Sequence, residues 1–268
     1  MNTERLEQPE RVELDNLRID NITSTFCVDI IVSRAGDGQG GWLVTPNSDI
    51  SRQAYHDPAV LQLINQADLI VADGMPLLWA SRLQGTPIKE RICGSDLVWT
   101  VAQACAKHDL SLFLLGGGLP DTAARAANTL ALRYPSIRIA GTHYPPFGFE
   151  TRPEQIQEIE AQLRKAMPNV VYVALGFPRA EQLIARLKPK FPHVWWLGVG
   201  ISLSFICGEV KRAPRWMQSL GLEWLHRLLQ EPGRLTKRYL WHDIPYVLGL
   251  LGRSIISRLR GHRGNYRF

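Results

Sequence analysis

The sequence predicts a doubly wound α/β domain, a mostly parallel sheet covered by helices on both faces, followed by a basic helical C-terminal appendage. Two observations carry the sheet. Short apolar, β-branched runs end in Gly, Asp or Thr at residues 41–45, 69–73, 111–116, 137–142, 170–176 and 194–200, and helical patterns alternate with them. A third observation carries the appendage: after Gly208 the pattern stays helical, with no further strand. The boundary near 205–210 divides the 268 residues into an N-terminal extension (1–24), a core (25–207) and an appendage (208–268).

The elements follow in order. Residues 1–24 begin polar and acidic, without the apolar stretch of a signal peptide, so nothing directs export. The run at 41–45 ends in Thr45-Pro46-Asn47-Ser48-Asp49, where hydroxyl, amide and carboxylate groups bunch. They suit a helix N-cap, and equally polar contacts to a sugar or phosphate. The run at 69–73 delivers Asp73 to the carboxyl edge of the sheet, where a lone acid either caps the next helix or takes a proton from a substrate hydroxyl. Asp68 precedes that run and belongs to the opposite edge.

Pro76 and Pro87 leave room for only a short helix, and a compact loop follows. In it, Arg91 has the forked geometry to grip a phosphate, although a solvated, salt-bridged loop is the plain alternative. The run at 111–116 ends in Gly116-Gly117-Gly118, before a helix beginning near Asp121. That is a tight turn whose bare amides would accept a nucleotide diphosphate. Pro153 opens a surface helix over 152–166. Gly176-Phe177-Pro178-Arg179-Ala180-Glu181 leads into a helix over 179–189, and Gly198-Val199-Gly200 ends the last run. Three glycine junctions along one sheet edge point to a nucleotide crevice more strongly than any one of them.

Composition narrows the partners. With 45% hydrophobic and 21% charged residues the chain is ordinary globular material. Its net charge of +6 is uneven: residues 207–268 hold 12 Lys and Arg against 4 Asp and Glu, a net of +8, so any anionic partner belongs to the tail. Within 208–240, arginines interleave with tryptophans and leucines at helical spacing, suiting a charged lipid surface or a phosphorylated ligand. The most apolar late stretch, 244–256, is too short to span a bilayer, which takes about 20 residues, but long enough to lie on one. Exposed apolar residues in the tail also suit a homo-oligomer interface. Cys27, Cys93, Cys105 and Cys207 form no Cys-x-x-Cys pair, so neither a zinc site nor a disulfide framework is indicated and a reducing cytoplasm fits.

Two rival readings fit less well. A nicotinamide-dependent oxidoreductase would need the full Gly-x-Gly-x-x-Gly fingerprint and an acid about 20 residues beyond it. A nucleic-acid or membrane binding module would use the basic tail but leave Asp73 and the glycine turns without a purpose.

In this order the junctions resemble the WecG/TagA/CpsF family of bacterial glycosyltransferases. The resemblance runs from about residue 25 to 240. Its specific parts are Thr45-x-Asn47, Ala72-Asp73-Gly74, Glu90-Arg91-x-x-Gly94-x-Asp96, Gly176-x-Pro178-Arg179-x-Glu181 and Lys211-Arg212-Ala213-Pro214-x-Trp216. The last of these continues through Gly221-Leu222-Glu223-Trp224-x-x-Arg227-Leu228-x-x-Glu231-Pro232-x-Arg234.

The resemblance implies a Rossmann-like core, a UDP-sugar donor, a polyprenyl-diphosphate-linked sugar acceptor, inversion at the anomeric carbon, and no cofactor or obligatory metal. It implies a cytoplasmic enzyme held peripherally on the inner leaflet of the membrane, with no nucleic-acid partner. It also implies that Asp73 is the general base, that Thr45, Asn47 and Arg91 line the pocket, and that Arg227 and Arg234 close over the donor. Arg212 and the glycine junctions, Gly116, Gly117, Gly176, Pro178, Arg179, Glu181 and Gly200, complete the expected substrate contacts. Two positions depart from the family pattern. Ala180 stands where Gln is common, and Gly200-Ile201-Ser202-Leu203-Ser204 where Gly-Gly-Ser-Phe-Asp is common.

Overall fold

A computed structural model of the chain describes residues 9–219 and 221–261; the side chains of Ser219 and Arg234 also fall outside that description. It opens on an antiparallel hairpin, β1 (Arg11–Leu14) and β2 (Leu17–Asp20). Then come α1 (Ser24–Gly36), β3 (Gly41–Val44), α2 (Ser48–His56), α3 (Pro58–Ile64), β4 (Leu69–Ile70), α4 (Met75–Gln84) and α5 (Gly94–Lys107). The chain continues through β5 (Ser111–Gly116), α6 (Thr122–Arg133), β6 (Arg138–His143), α7 (Pro153–Ala166), β7 (Val170–Ala174), α8 (Arg179–Leu187), β8 (Trp195–Gly198) and α9 (Ser202–Ile206). Its C-terminal part holds α10 (Arg215–Ser219), α11 (Glu223–Gln230), α12 (Pro232–Lys237), a π-helical stretch Arg238–Asp243 and α13 (Ile244–Leu259).

The six apolar runs pair into one wholly parallel sheet, in the order β4-β3-β8-β7-β5-β6, the α/β Rossmann-like arrangement expected. Side chains alternate between its faces. Trp42, Val44, Phe113, Leu115, Val171, Val173 and Trp196 pack on one side with α4, α7, α8 and α13. Leu43, Leu112, Leu114, Val170, Tyr172, Trp195 and Leu197 pack on the other with α1, α5, α6 and α9. Burial on both faces is why these strands read as continuous apolar runs.

β4 is shorter than its apolar run because it lies at the sheet edge. Beyond Ile70 the chain stays beside β3 through two bonds, Val71 N–H to Val44 O at 3.0 Å and Asp73 N–H to Pro46 O at 3.0 Å. The hairpin covers this edge, which would otherwise offer unpaired backbone groups. Asp20 Oδ2 accepts the Ile70 N–H at 2.7 Å while Oδ1 accepts from Arg11 Nε at 2.8 Å. Val12, Leu14, Leu17 and Ile19 are buried against the core, although the sequence reading assigned them no element.

The appendage is not one amphipathic rod. Gly221 and Pro232 break 208–240 into short helices, and α13 then packs along α4. Tyr246 and Leu250 join the same apolar cluster as Leu77 and Leu78. Burying each of these leucines contributes about 1.5–3 kcal/mol. Arg253 holds Asp15 in the hairpin turn through Nε at 2.9 Å and through Nη2, and its guanidinium stacks 4.2 Å from the Tyr55 ring centroid. The outward side of α13 leaves Leu248, Ile255, Ile256 and Leu259 exposed. Among the described residues no helix is long and apolar enough to cross a membrane.

Candidate active site

A cleft of about 390 Å³ opens at the carboxyl ends of β3, β4 and β8. In a doubly wound sheet this is where ligands bind. Its sheet side carries Asn47, Asp73, Arg91, Cys93 and Ser95, with Ile201 and Phe205 beyond β8. The appendage closes the opposite side with Arg212, Glu223 and Arg227, and Trp79, Ile244, Val247 and Leu248 make one wall apolar. Gly221 permits this closure: with φ of +73°, it brings the chain so near α4 that a Cβ there would stand 2.6 Å from Met75 Cγ.

Asp73 sits three residues past β4 and caps no helix of its own, since α4 begins after Gly74 without a side-chain cap. Its Oδ2 accepts the Gly94 N–H at 3.4 Å, which points the carboxylate at the start of α5. Burial pushes its carboxyl up to about 6. Hydrogen bonds from the Cys93 thiol and Gly94 and the positive charge of Arg91 oppose that rise, while the charge of Glu223 adds to it. A carboxylate of this basicity, open to a cleft, is matched to taking a proton near neutral pH.

Thr45 lies beside it. A Cβ on Gly94 would come within 3.2 Å of Thr45 Oγ1 and 3.9 Å of Asp73 Oδ2, so any larger residue at 94 would press on both. Asn47 serves in two ways: its Oδ1 accepts the Ile50 N–H at 3.1 Å as the N-cap of α2, and the residue lines the cleft.

The loop before α5 delivers Arg91. Glu90 anchors it by accepting from Ser24 N–H at 2.8 Å and Ser24 Oγ at 2.6 Å, and Ile92 N–H bonds Ala72 O at 2.8 Å, beside Asp73. Arg91 Nη1 then donates to Glu223 Oε2 at 3.0 Å. Arg212 donates from Nε to Glu223 Oε1 at 3.1 Å and pairs with both oxygens of Asp96. Arg227 lines the same cleft, and its Nε is buried without a hydrogen-bond partner. Arg234 lies on α12, and its side chain falls outside the described residues.

The remaining expected contacts do not line this cleft. Gly116 and Gly117 end β5 with φ of +90° and +133°. A Cβ on Gly117 would collide with Thr122. The turn meets the chain's own carboxylate: Glu209 Oε1 accepts from Thr122 Oγ1 at 2.7 Å and Arg125 Nη1 at 3.2 Å. Burial of Glu209 is outweighed by hydrogen bonds from Thr122 and Ser204 and by the charge of Arg125, which hold its carboxyl below the ordinary value. Gly176 precedes a cis Phe177-Pro178 bond, and Arg179 pairs with Glu150 at 3.6 Å. Glu181 is buried with Oε2 unpaired, and burial pushes its carboxyl up to about 7. Gly200, with φ of +52°, adjoins the cleft-lining Ile201.

Sequence reasoning missed Cys93, Glu223, Trp79 and the pair Arg238 and Asp243, all of which line the cleft. Asp243 accepts from Arg52 Nε at 3.2 Å and sits 3.7 Å from Arg238 Nε, tying the π-helical stretch to α2. Only Glu223 left a signal, because it stands in the Gly221-Leu222-Glu223-Trp224 string that carries the family resemblance, where it was given no site role. Among the described residues no group of three or more His, Cys, Asp or Glu side chains is placed to hold a metal ion. A family model described as the glycosyl transferase WecG/TagA/CpsF family matches residues 12–260.

Proposed function

The chain belongs to the WecG/TagA/CpsF family of glycosyl transferases, and on that premise we propose an inverting transfer from a UDP-sugar to a polyprenyl-diphosphate-linked sugar. The group moved is a hexosyl or N-acetylhexosaminyl residue, and the product feeds bacterial surface or exopolysaccharide assembly. One observation carries the reading: a carboxylate made basic by burial, Asp73, shares a cleft with guanidinium groups from both the core and the appendage.

In the proposed step the acceptor hydroxyl attacks the anomeric carbon from the face opposite the diphosphate and gives its proton to Asp73. The bond between that carbon and the β-phosphate oxygen breaks, and its electron pair leaves with UDP. Inversion needs one base and a means of offsetting charge on the leaving group. Arg91, Arg212 and Arg227 offset it without a divalent ion or cofactor. Thr45 and Asn47 supply polar contacts to the sugar, and Arg234 is assigned to the donor with Arg227.

The apolar wall of Trp79, Ile244, Val247 and Leu248 suits the first isoprene units of the acceptor. Trp241, Leu248 and Leu259 are exposed on a region of net charge +8, a combination that favours an anionic inner leaflet. The protein is accordingly assigned to the cytoplasmic side as a peripheral membrane enzyme.

Screening UDP-sugars against synthetic lipid-diphosphate acceptors, with UDP release as the readout, tests the reading. Release that requires both substrates is the expected result. No release from any pair, with the protein folded and vesicles present, would contradict it.

A further inference from the structure

We infer that Glu223 is an internal stand-in for the donor's diphosphate, holding Arg91 and Arg212 across the cleft and giving them up when the donor binds. The inference rests on the glycosyl-transfer reading above. Its ground is the arrangement of one carboxylate between two cations. Glu223 Oε2 takes the Arg91 Nη1 proton at 3.0 Å and Oε1 takes the Arg212 Nε proton at 3.1 Å. Two oxygens on one carbon thus bridge two guanidinium groups, as two oxygens on one phosphorus would.

The three side chains are only 17%, 18% and 22% exposed, so the pairs are shielded from water more than surface ion pairs are. The arginines come from opposite sides, Arg91 from the loop after α4 and Arg212 from the start of the appendage. Without an anion between them they would repel each other across the cleft.

Glu223 is the exchangeable partner. Asp96 grips Arg212 through both carboxylate oxygens from the solvent side, at 55% exposure, and remains as its anchor. Among the described residues Glu223 is the one acid that Arg91 pairs with, so releasing that carboxylate leaves its fork open to phosphate. One turn further along α11, Arg227 presents a buried Nε with no hydrogen-bond partner to the same cleft. A diphosphate entering there replaces a single negative charge with a larger one and adds Arg227 to the set. On product release the carboxylate returns to the arginines and competes with UDP, which makes Glu223 a residue that positions the cations and speeds UDP departure.

The test is calorimetric titration of UDP and of inorganic pyrophosphate into the full chain and its Glu223→Gln and Glu223→Asp variants, each checked by thermal melting. Removing the competing charge should tighten both ligands by about tenfold in Glu223→Gln. Turnover should then show a lower kcat together with a lower KM, a pattern that loss of a merely structural contact would not give. Glu223→Asp keeps the charge and should bind UDP within about threefold of the wild type. In a structure of the UDP-bound wild type, Glu223 should lie beyond 4 Å from both arginines.

UDP affinity unchanged or weakened in a folded Glu223→Gln protein overturns the inference, as does a UDP complex that keeps both ion pairs. A wild type that binds neither UDP nor pyrophosphate overturns the proposed function as well, so the two failures are distinguishable.

Discussion

Asp68 and Asp73 bracket the same two-residue strand, one before β4 and one after it, yet they meet opposite fates. At the amino end, Asp68 Oδ2 accepts the Trp42 N–H at 2.8 Å and the Lys188 ammonium at 2.6 Å, beside a dent of about 340 Å³ lined by Gly40, Trp42, Gln66 and Lys188. At the carboxyl end, the Asp73 carboxylate accepts one long backbone bond at 3.4 Å and a bond from the Cys93 thiol, and burial outweighs both in setting its basicity. A parallel sheet therefore gives the same residue type two kinds of work. The amino-end acid is tied into the scaffold by a direct cation. Its counterpart has cations nearby that are held by other acids, Glu223 and Asp96, and so stays available for chemistry.

The sharpest way to break this contrast is to replace each acid with its amide. Asp73→Asn should lower kcat on the order of 10³-fold, within the range for losing a general base, while Asp68→Asn should leave kcat within about twofold. Equal losses in the two variants would erase the functional distinction. The cations should follow the same division. Arg212→Ala should cost about 10²-fold in kcat/KM through lost charge stabilisation, and Lys188→Ala at the other end almost nothing.

The pH dependence sharpens it further. Asp73 must be ionised to accept a proton, so kcat/KM should fall about tenfold per pH unit below an apparent pKa near 6. A limb near the ordinary carboxylate value would remove Asp73 from that role.

The smallest effect is on stability. The Asp73 carboxyl is raised from 3.8 to about 6 in the folded chain. In that window the folded state holds more protons than the unfolded one, so this group's contribution to stability is full below 3.8 and is lost as pH rises through 6. Asp73→Asn should therefore raise stability at pH 7 by on the order of 1 kcal/mol. Asp68→Asn should lower it by up to about 1 kcal/mol by unpairing Lys188. Thermal melts at pH 5 and pH 7 check both signs.

Much of this was legible in the sequence because strand ends are punctuated. Asp73 follows a continuous apolar run and precedes Gly74, so its edge follows from chain direction alone, and Asp68 is assigned to the other edge by the same logic. The Gly116-Gly117 turn is different. A glycine-rich turn before a helix looks alike in sequence whatever it packs against, and nothing local announces that Glu209 reaches Thr122 beside it.

Long-range pairing was illegible. Glu223 lies 132 residues from Arg91, and no local pattern announces that they meet. The hairpin could have been found: Val12, Leu14, Leu17 and Ile19 face the core around an Asp15-Asn16 turn, where both residues adopt positive φ. In the appendage the Arg, Trp and Leu spacing was visible. Its folding into short helices was not, because that depends on Gly221 approaching Met75.

UDP titration into Asp73→Asn and Arg227→Ala tests most directly whether a sheet-edge base and appendage cations form one catalytic cleft. Asp73→Asn should bind UDP within about threefold of the wild type while its kcat falls on the order of 10³-fold, and Arg227→Ala should lose about tenfold or more in affinity. Full UDP affinity in Arg227→Ala, or a kcat near the wild-type value in Asp73→Asn, would contradict that single cleft.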